Sequence, residues 1–331
     1  MDTPADKSAT SQCPLPPRQG GPVSANRRRE SAGAWAFLLP NMLGFAVFTA
    51  LPVLAALALS FCRWRAIESW EGIHFVGLRN YAEILGLGRD AATGGLIAND
   101  RLFWVFMYNT AYLMVGVPLG MILSFLTALL MNEKFRGVVW FRTVYFIPTV
   151  CSSAAVAVLW RWLLNADEGL FNHILKGVAI AGPDWLGDPT WAKPALIVVG
   201  LWMGVGGYNC VLYLAGLQNV PGELYEAADI DGADWWGKLR YITWPMLAPT
   251  TFFILVTSII AGFQGHFTHI HILTRGGPAD STTTLLYYIY KHAFVWHNMG
   301  YACALAMVLF VLIMVFTIIN WKYGGRAIEV Q

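Results

Sequence analysis

The stretch Glu226-Ala227-Ala228-Asp229-Ile230-Asp231-Gly232-Ala233 is polar and acidic, and it lies between two apolar runs that are each long enough to cross a membrane. The connection between those runs continues through Ile242 to Pro245. A simple link between two membrane helices needs only a few turn residues. This one is long enough for a helix, a glycine turn and a second helix, which indicates a loop that another protein contacts.

The rest of the chain is too apolar for a soluble domain. Of its 331 residues, 56% are hydrophobic and 13% are charged, whereas soluble domains carry about 25% charged residues. A helix needs roughly 20 apolar residues to cross the hydrocarbon core of a bilayer. The pattern therefore predicts an all-α membrane protein, with transmembrane helices over residues 34–61, 103–131, 143–164, 194–217, 248–273 and 300–322. Pro40, Pro52 and Pro118 are predicted kink sites.

The distribution of basic residues predicts that both termini lie in the cytoplasm. Arg27, Arg28 and Arg29 precede the first window, and Arg136 and Arg142 flank the start of the third. Short cytoplasmic loops are enriched in Lys and Arg. Six spans in this orientation also place the acidic loop, residues 222–245, on the cytoplasmic side.

Residues 1–33 are rich in Pro, Gly, Ser and Arg, a composition that predicts a disordered cytoplasmic tail. The remaining residues, 34–331, are expected to form one six-span domain. The net charge of +2 does not indicate a nucleic-acid partner. Two short helices outside the membrane are predicted, one over 77–88 and one over 285–296, after the chain breaker Gly276-Gly277-Pro278.

The acidic loop resembles the EAA loop of the permease subunits of bacterial ATP-binding-cassette (ABC) importers. That pattern has Glu-Ala-Ala, a Gly six positions after the Glu, and an Ile-x-Leu-Pro after nine more residues. The chain matches it at Glu226, Ala227, Ala228, Gly232, Ile242 and Pro245, and departs from it with Trp244 in place of Leu. The stretches Phe75–Tyr81, Gly276–Leu285 and Gly300–Ala302 are similar to the carbohydrate-uptake branch, so the resemblance runs from about residue 34 to the end.

The resemblance implies the six-span bundle of a type I importer. It also implies that the helix of this loop sits in a groove of an ATPase subunit and transmits its closure. The residues concerned are Glu223, Glu226, Ala227, Ala228, Asp231, Gly232 and Ala233. Their chemistry is compatible with that role, because acidic residues near the start of a helix complement its dipole. Gly232 can adopt the left-handed conformation that ends a helix.

Polar and aromatic side chains within the fourth and fifth windows are candidates for the substrate path. They are Trp202, Tyr208, Asn209, Gln264 and His266. Aromatic faces and amide or imidazole groups suit a neutral polyhydroxylated ligand. Hydrogen bonds between helices are the competing interpretation for each residue. No Arg or Lys lies centrally in any window, which disfavours a strongly anionic substrate.

Pairs of glycines four residues apart, Gly116/Gly120 and Gly200/Gly204, predict close packing of the second and fourth spans. Gly206-Gly207 is expected to loosen the fourth span.

Catalysis, a metal and a cofactor are not expected of this chain. His266, His269 and His271 are the only candidate metal cluster, but His271 points away from the face that the other two share. Gly232 to Lys238 resembles the start of a phosphate-binding loop, yet Leu239 follows where Ser or Thr must hold Mg²⁺. ATP hydrolysis is therefore expected on a partner subunit.

The resemblance thus implies one permease subunit of a binding-protein-dependent ABC importer in the bacterial plasma membrane, carrying a sugar or a related solute. The resemblance implies three kinds of partner: a second homologous permease, a cytoplasmic ATPase dimer and an external solute-binding protein. An ion-coupled secondary transporter is the alternative, and such proteins usually carry intramembrane acids or His relays. Disaccharides, oligosaccharides, polyols and glycerol phosphate esters all stay open as the solute.

Overall fold

The structure is a computed structural model that describes residues 23–67, 70–89, 96–133, 136–264 and 266–324. Most of these residues are helical. The α-helices, in chain order, are α1 Val23–Phe45, α2 Leu51–Ser60, α3 Arg79–Leu85, α4 Arg101–Leu113, α5 Gly116–Asn132, α6 Val138–Val150, α7 Ser153–Leu163, α8 Leu170–Gly177, α9 Pro189–Gly204, α10 Tyr208–Gln218, α11 Gly222–Ile230, α12 Trp235–Lys238, α13 Trp244–Met246, α14 Ala248–Gln264, α15 Phe267–His269, α16 Leu285–Tyr290 and α17 Met299–Gly324.

The first apolar window forms one long helix, in which α1 and α2 are joined by a turn of π-helix over Ala46–Ala50. That turn directly precedes Pro52. A proline lacks the amide hydrogen for the preceding turn and crowds its carbonyl group, so a local widening of the helix relieves both problems. The predicted disordered tail includes residues 23–33, but the structure has a helix there, because α1 begins at Val23. Residues 1–22 of that tail lie outside the described part of the chain.

The described residues hold four helical stretches that are long and apolar enough to cross a membrane, or six if each of two bent helix pairs counts as one span. The four stretches are Gly33–Ser60, Arg101–Asn132, Ala248–Thr274 and Met299–Lys322. The bent pairs are α6 with α7, at 98°, and α9 with α10, at 44°. All six predicted windows therefore coincide with apolar helices, and the chain is a multi-pass membrane protein.

The two bends have local causes. α6 ends two residues after Pro148, where Cys151 takes an extended conformation. α9 ends at Gly204, and a side chain at Gly206 would overlap the carbonyl oxygen of Tyr145. Only glycine allows α6 to approach this closely, so the predicted loosening at Gly206-Gly207 coincides with the break.

Short strands amend the all-α prediction. Antiparallel ribbons pair Cys62–Arg63 with His74–Phe75 and Leu87–Arg89 with Leu96–Ala98. The helix predicted over 77–88 is the shorter α3. The helix predicted over 285–296 is α16, extended by a π-helical turn over Lys291–Val295.

Three clusters of buried side chains hold residues 56–324 together. One joins α5, α10 and α14, and includes Phe125, Tyr213 and Ile254. The second joins α3, α4, α14, α16 and α17, and the third joins α7, α9 and α16. Side chains packed against the first cluster (Val117) and the third (Ile197 and Met203) also line the cavity described below.

Candidate functional site

The acidic loop forms a short helix that ends in a glycine turn. α11 starts after Pro221, whose fixed backbone angle suits a helix start. Gly232 has φ of +76°. Its amide donates to the carbonyl of Asp229 (3.1 Å), and the amide of Ala233 donates to the carbonyl of Ala228 (2.9 Å). This is the Schellman arrangement, which satisfies the last carbonyl groups of a helix and requires a left-handed residue. The predicted glycine exit is confirmed.

The second half of the acidic loop folds back on the first. Asp234 begins α12 by accepting a hydrogen bond from the amide of Gly237 (2.8 Å). Lys238 forms an ion pair with Asp229. The hydroxyls of Tyr225 and Thr243 lie 2.9 Å apart, and Thr243 is buried. These contacts hold α11 against the turn of π-helix over residues 239–243.

The predicted contact residues of this loop are largely at the surface. Glu223, Glu226, Ala227, Asp231 and Gly232 are exposed, while Ala228 and Ala233 are half-buried. Ile230 is 87% exposed, an apolar side chain that the described chain leaves uncovered. Within the described residues, neither glutamate takes part in an ion pair. The loop thus presents free carboxylates around a thin, alanine-rich helix.

A cavity of about 320 Å³ lies between α5, α9, α10 and α14. Asn209 and His266, both predicted from the sequence, line it. The amide of Asn209 donates to the hydroxyl of Ser258 (3.0 Å), another lining residue. His266 has φ of +65° at the interruption between α14 and α15. The cavity is otherwise apolar apart from Ser124 and His269, so a few polar groups converge in a mainly apolar space.

Glycines make room for this cavity and for the contacts around it. A methyl group at Gly200 would lie 2.9 Å from Cε1 of His266, tighter than van der Waals contact. Methyl groups at Gly116 and Gly120 would lie 3.6 Å from Ile197 and 3.5 Å from Leu201. The predicted close packing between the second and fourth spans is therefore confirmed at these positions.

Three of the five predicted path residues do not line the cavity. Trp202 packs edge-on against Trp160, with ring centroids 5.7 Å apart. Tyr208 is 65% exposed, and Gln264 is also exposed. None of the three is among the residues that line the cavity. Sequence reasoning missed Ser124 and Ser258. The signal for each was a small polar residue one to two turns from a predicted glycine or histidine.

The three histidines of the fifth span do not converge. The rings of His266 and His269 are 6.4 Å apart, whereas His271 stacks on Phe267 at 5.7 Å. Nε2 of His269 is 3.0 Å from the sulfur of Met203. In the described part of the chain, no three His, Cys, Asp or Glu side chains are placed to hold a metal ion.

A second polar segment, the threonine turn (residues 274–285), follows the fifth span. Thr282, Thr283 and Thr284 are buried. The hydroxyls of Thr282 and Thr283 donate to the carbonyls of Gly277 (2.7 Å) and Gly276 (3.1 Å). The Asn109 amide, itself 1% exposed, donates to the carbonyls of Asp280 (3.0 Å) and Thr283 (2.9 Å). The hydroxyls of Thr282 and Thr283 are thus satisfied within the chain, whereas the buried hydroxyl of Ser281 has no hydrogen-bond partner among the described residues.

Asp100 ties α4, α16 and α17 together near this turn. Its Oδ2 accepts hydrogen bonds from the hydroxyls of Tyr288 (3.0 Å) and Tyr301 (2.6 Å). His292 lies against both rings, at 4.5 Å from each, and neither of its ring nitrogens has a hydrogen-bond partner among the described residues. Burial lowers the pKa of His292 to about 4, although the charge of Asp100 opposes this shift.

Known permease proteins are similar to this chain over most of its length. Residues 116–321 match the family model described as binding-protein-dependent transport system inner membrane component. The lactose transport system permease protein LacF of Rhizobium radiobacter is 33% identical over 310 residues, which are 92% of this chain and 97% of that protein. The trehalose/maltose transport system permease protein MalF of Thermococcus litoralis is 32% identical over 306 residues, 91% of this chain and 97% of that one.

The arabinooligosaccharides transport system permease protein AraP of Bacillus subtilis is 31% identical over 303 residues, 89% of this chain and 90% of that protein. The fold is also similar to a solved structure, that of a bacterial ABC transporter involved in the import of the acidic polysaccharide alginate. The TM-score is 0.76 at 22% identity, and the match covers 91% of this chain and 98% of that one. At this identity the likeness concerns the fold, which is that of an ABC importer permease.

Proposed function

The chain belongs to the family of binding-protein-dependent transport system inner membrane components, and we propose that it is one of two permease subunits of an ABC importer for a sugar or a related polyhydroxylated solute. The proposal of a sugar rests on the relatives, which are named for lactose, trehalose and maltose, and arabinooligosaccharides. The partners proposed for this subunit are a second homologous permease, a cytoplasmic ATPase dimer and an external solute-binding protein.

Six spans with both termini in the cytoplasm, in a bacterial inner membrane, are part of this proposal. Each bent helix pair then counts as one span. The dense arginines before the first span support the orientation. The acidic loop, after the fourth span, faces the cytoplasm in this arrangement.

The acidic loop is the proposed contact with the ATPase. The observation that carries this role is a short helix with exposed carboxylates at Glu223 and Glu226 and a fully capped end at Gly232. Ala227 and Ala228 keep the helix thin enough to enter a groove, and the positions around them (Asp231 and Ala233) complete the surface. The α11 helix would then move with the ATPase and transmit that movement to α10 and α14.

The cavity between α5, α9, α10 and α14 is the proposed substrate path. Asn209 and His266 are its polar candidates in this chain, and Trp202, Tyr208 and Gln264 can contribute only if their exposed faces meet the second permease. The break at Gly206-Gly207 provides a flexible point in the fourth span, and alternating access needs such a point.

Transport is proposed to be driven by ATP hydrolysis on the partner, with no enzymatic activity in this chain. The ion-coupled alternative would use intramembrane carboxylates. The six predicted windows contain no Asp or Glu. The comparisons likewise contain nothing that favours ion coupling.

The test is solute uptake in cells that express the whole transporter, with Glu226→Lys and Gly232→Pro compared with the intact chain. We expect both variants to insert at normal levels, to lose co-purification of the ATPase and to reduce uptake by at least about tenfold, as removal of a central interface contact does. Glu168→Lys, the same charge reversal at an exposed residue of another loop, is the matched control. Retained ATPase binding and uptake in both variants would contradict the proposed role of the loop.

A further inference from the structure

Three side chains on α4 and α9 lie in helical register with residues that line the cavity. Lys193 lies one helical turn before Ile197 on the same face of α9. Tyr108 and Tyr112 precede Gly116 at intervals of four residues in the stretch Arg101–Asn132. Ile197 and Gly116 both line the cavity, and a methyl group at Gly116 would lie 3.6 Å from Ile197. The lysine and the two tyrosines thus continue the two walls of the cavity outward.

The ammonium group of Lys193 is held by aromatic rings. Its Nζ is 4.8 Å from the ring centre of Tyr108 and 5.3 Å from that of Tyr112. Within the described residues, no carboxylate lies within 4.0 Å of it. Cation–π contacts orient an ammonium group without neutralising its charge. The aromatic contacts thus fix the position of the Lys193 ammonium group, and within the described part of the chain no carboxylate pairs with it.

The surroundings of this charge favour an anionic ligand that also carries sugar hydroxyls. A single-sign charge in a cleft with apolar walls concentrates ligands of the opposite sign, and a charge-assisted hydrogen bond to it is stronger than a neutral one. Tyr108 is 61% exposed, so one face and the hydroxyl of its ring stay available. Aromatic rings with a polar edge suit the face and the hydroxyls of a sugar.

We propose that Lys193, with Tyr108 and Tyr112, forms an outer subsite of the substrate path that binds the carboxylate or phosphate of an anionic sugar. The inference rests on the proposed function, since it takes the cavity as the path of a sugar. It reverses the expectation that the apolar windows disfavour an anionic substrate. Lys193 lies one residue before the fourth window, so its contribution was not visible from the centres of the windows.

The test uses the complete transporter, with its binding protein, in proteoliposomes of phosphatidylcholine. Uptake is measured for a disaccharide of hexuronic acid, for the neutral disaccharide that differs only at C6, and for a hexose phosphate. The variants are Lys193→Gln, Lys193→Arg and, as a control at a lysine of α8, Lys176→Gln. The two charged sugars distinguish a carboxylate from a phosphate as the bound group.

We expect wild-type uptake of at least one charged sugar, with a KM about tenfold or more higher in Lys193→Gln, the size of one lost charge-assisted hydrogen bond. Lys193→Arg should stay within about threefold of wild type, and Lys176→Gln should be unchanged. Uptake of the neutral sugar only, or equal effects of Lys193→Gln on both sugars, would overturn the inference and leave the importer assignment intact. If adding phosphatidylglycerol abolishes the effect of Lys193→Gln, the lysine binds lipid and not the sugar, which would also overturn the inference. A wild-type transporter that takes up no sugar contradicts the proposed function, and this inference with it.

Discussion

The acidic loop and the threonine turn are both polar segments between apolar helices, but they differ in the exposure of their polar groups. Thr282 and Thr283 are fully buried and bond to backbone carbonyls of their own turn. Glu223 and Glu226 are exposed and form no ion pair within the described residues. Buried polar groups must be satisfied inside the chain, whereas exposed ones remain available to another molecule. The threonine turn therefore stabilises this subunit, and the acidic loop is suited to contact a different one.

The largest expected difference between the two segments comes from their left-handed glycines. At Gly276 φ is +88°, and a methyl group would overlap the hydroxyl of Thr283 and lie 3.0 Å from the ring of Tyr287. At Gly232 φ is +76°, with nothing within 4 Å. We expect Gly276→Ala to lower the free energy of unfolding by about 4 kcal/mol, and Gly232→Ala by only about 1 kcal/mol. Unfolding in mixed micelles measures the free energy of unfolding of both variants. Equal losses would contradict the expected difference between the threonine turn and the acidic loop.

The next effect comes from the hydrogen bonds of each segment. Asn109→Ala leaves the buried carbonyls of Asp280 and Thr283 without their donor, so we expect a loss of about 2–3 kcal/mol. Tyr225→Phe removes one partly exposed hydroxyl contact with Thr243 and should cost about 0.5–1 kcal/mol. The same unfolding assay compares them. A larger loss for Tyr225→Phe would show that the acidic loop is held by its own contacts more firmly than its exposure indicates.

A pH dependence of the free energy of unfolding should come from His292, which contacts Tyr288 and Tyr301. Burial lowers the pKa of His292 to about 4, below the value of about 6.5 for an unfolded chain. As the pH falls, the unfolded state therefore binds a proton at a higher pH than the folded state does. The free energy of unfolding should accordingly rise by about 1–2 kcal/mol as the pH increases from about 4 to about 6.5. In His292→Phe this part of the profile should be absent. Parallel profiles for the two proteins would contradict the assignment to His292.

The smallest effects are expected from the ion pairs. Asp229→Asn removes the exposed pair with Lys238 in the acidic loop and should change the free energy of unfolding by less than about 0.5 kcal/mol. Asp280→Asn weakens a pair with Lys291 that also involves the hydroxyl of Thr283, so its loss should be larger. Titration with salt distinguishes them, since the exposed pair is screened first.

Local sequence signals predicted the acidic loop well. Pro221, the acidic residues and Gly232 specify a short helix and its exit within one stretch of chain, and the structure has α11 and the left-handed glycine there. Glycine spacing likewise predicted the close contacts at Gly116 and Gly120. These features need only neighbouring residues, so periodicity and turn chemistry suffice for them.

Features that join distant residues could not be predicted in this way. Asp100 meets Tyr288 and Tyr301 across separations of 188 and 201 residues, and no local pattern indicates such a pairing. The direction of a side chain on an apolar helix is equally hidden, because both faces of a membrane helix are apolar. Trp202 and Tyr208 were therefore predicted on the path, although neither lines the cavity.

The capped end of α11 has a consequence for how a partner would associate with it. Its last carbonyl groups are satisfied by Gly232 and Ala233, and Tyr225 anchors the helix to Thr243. A binding surface that is ordered before contact loses little conformational entropy when it docks. Association should accordingly be fast and nearly rigid-body, and cooling should slow it no more than diffusion does.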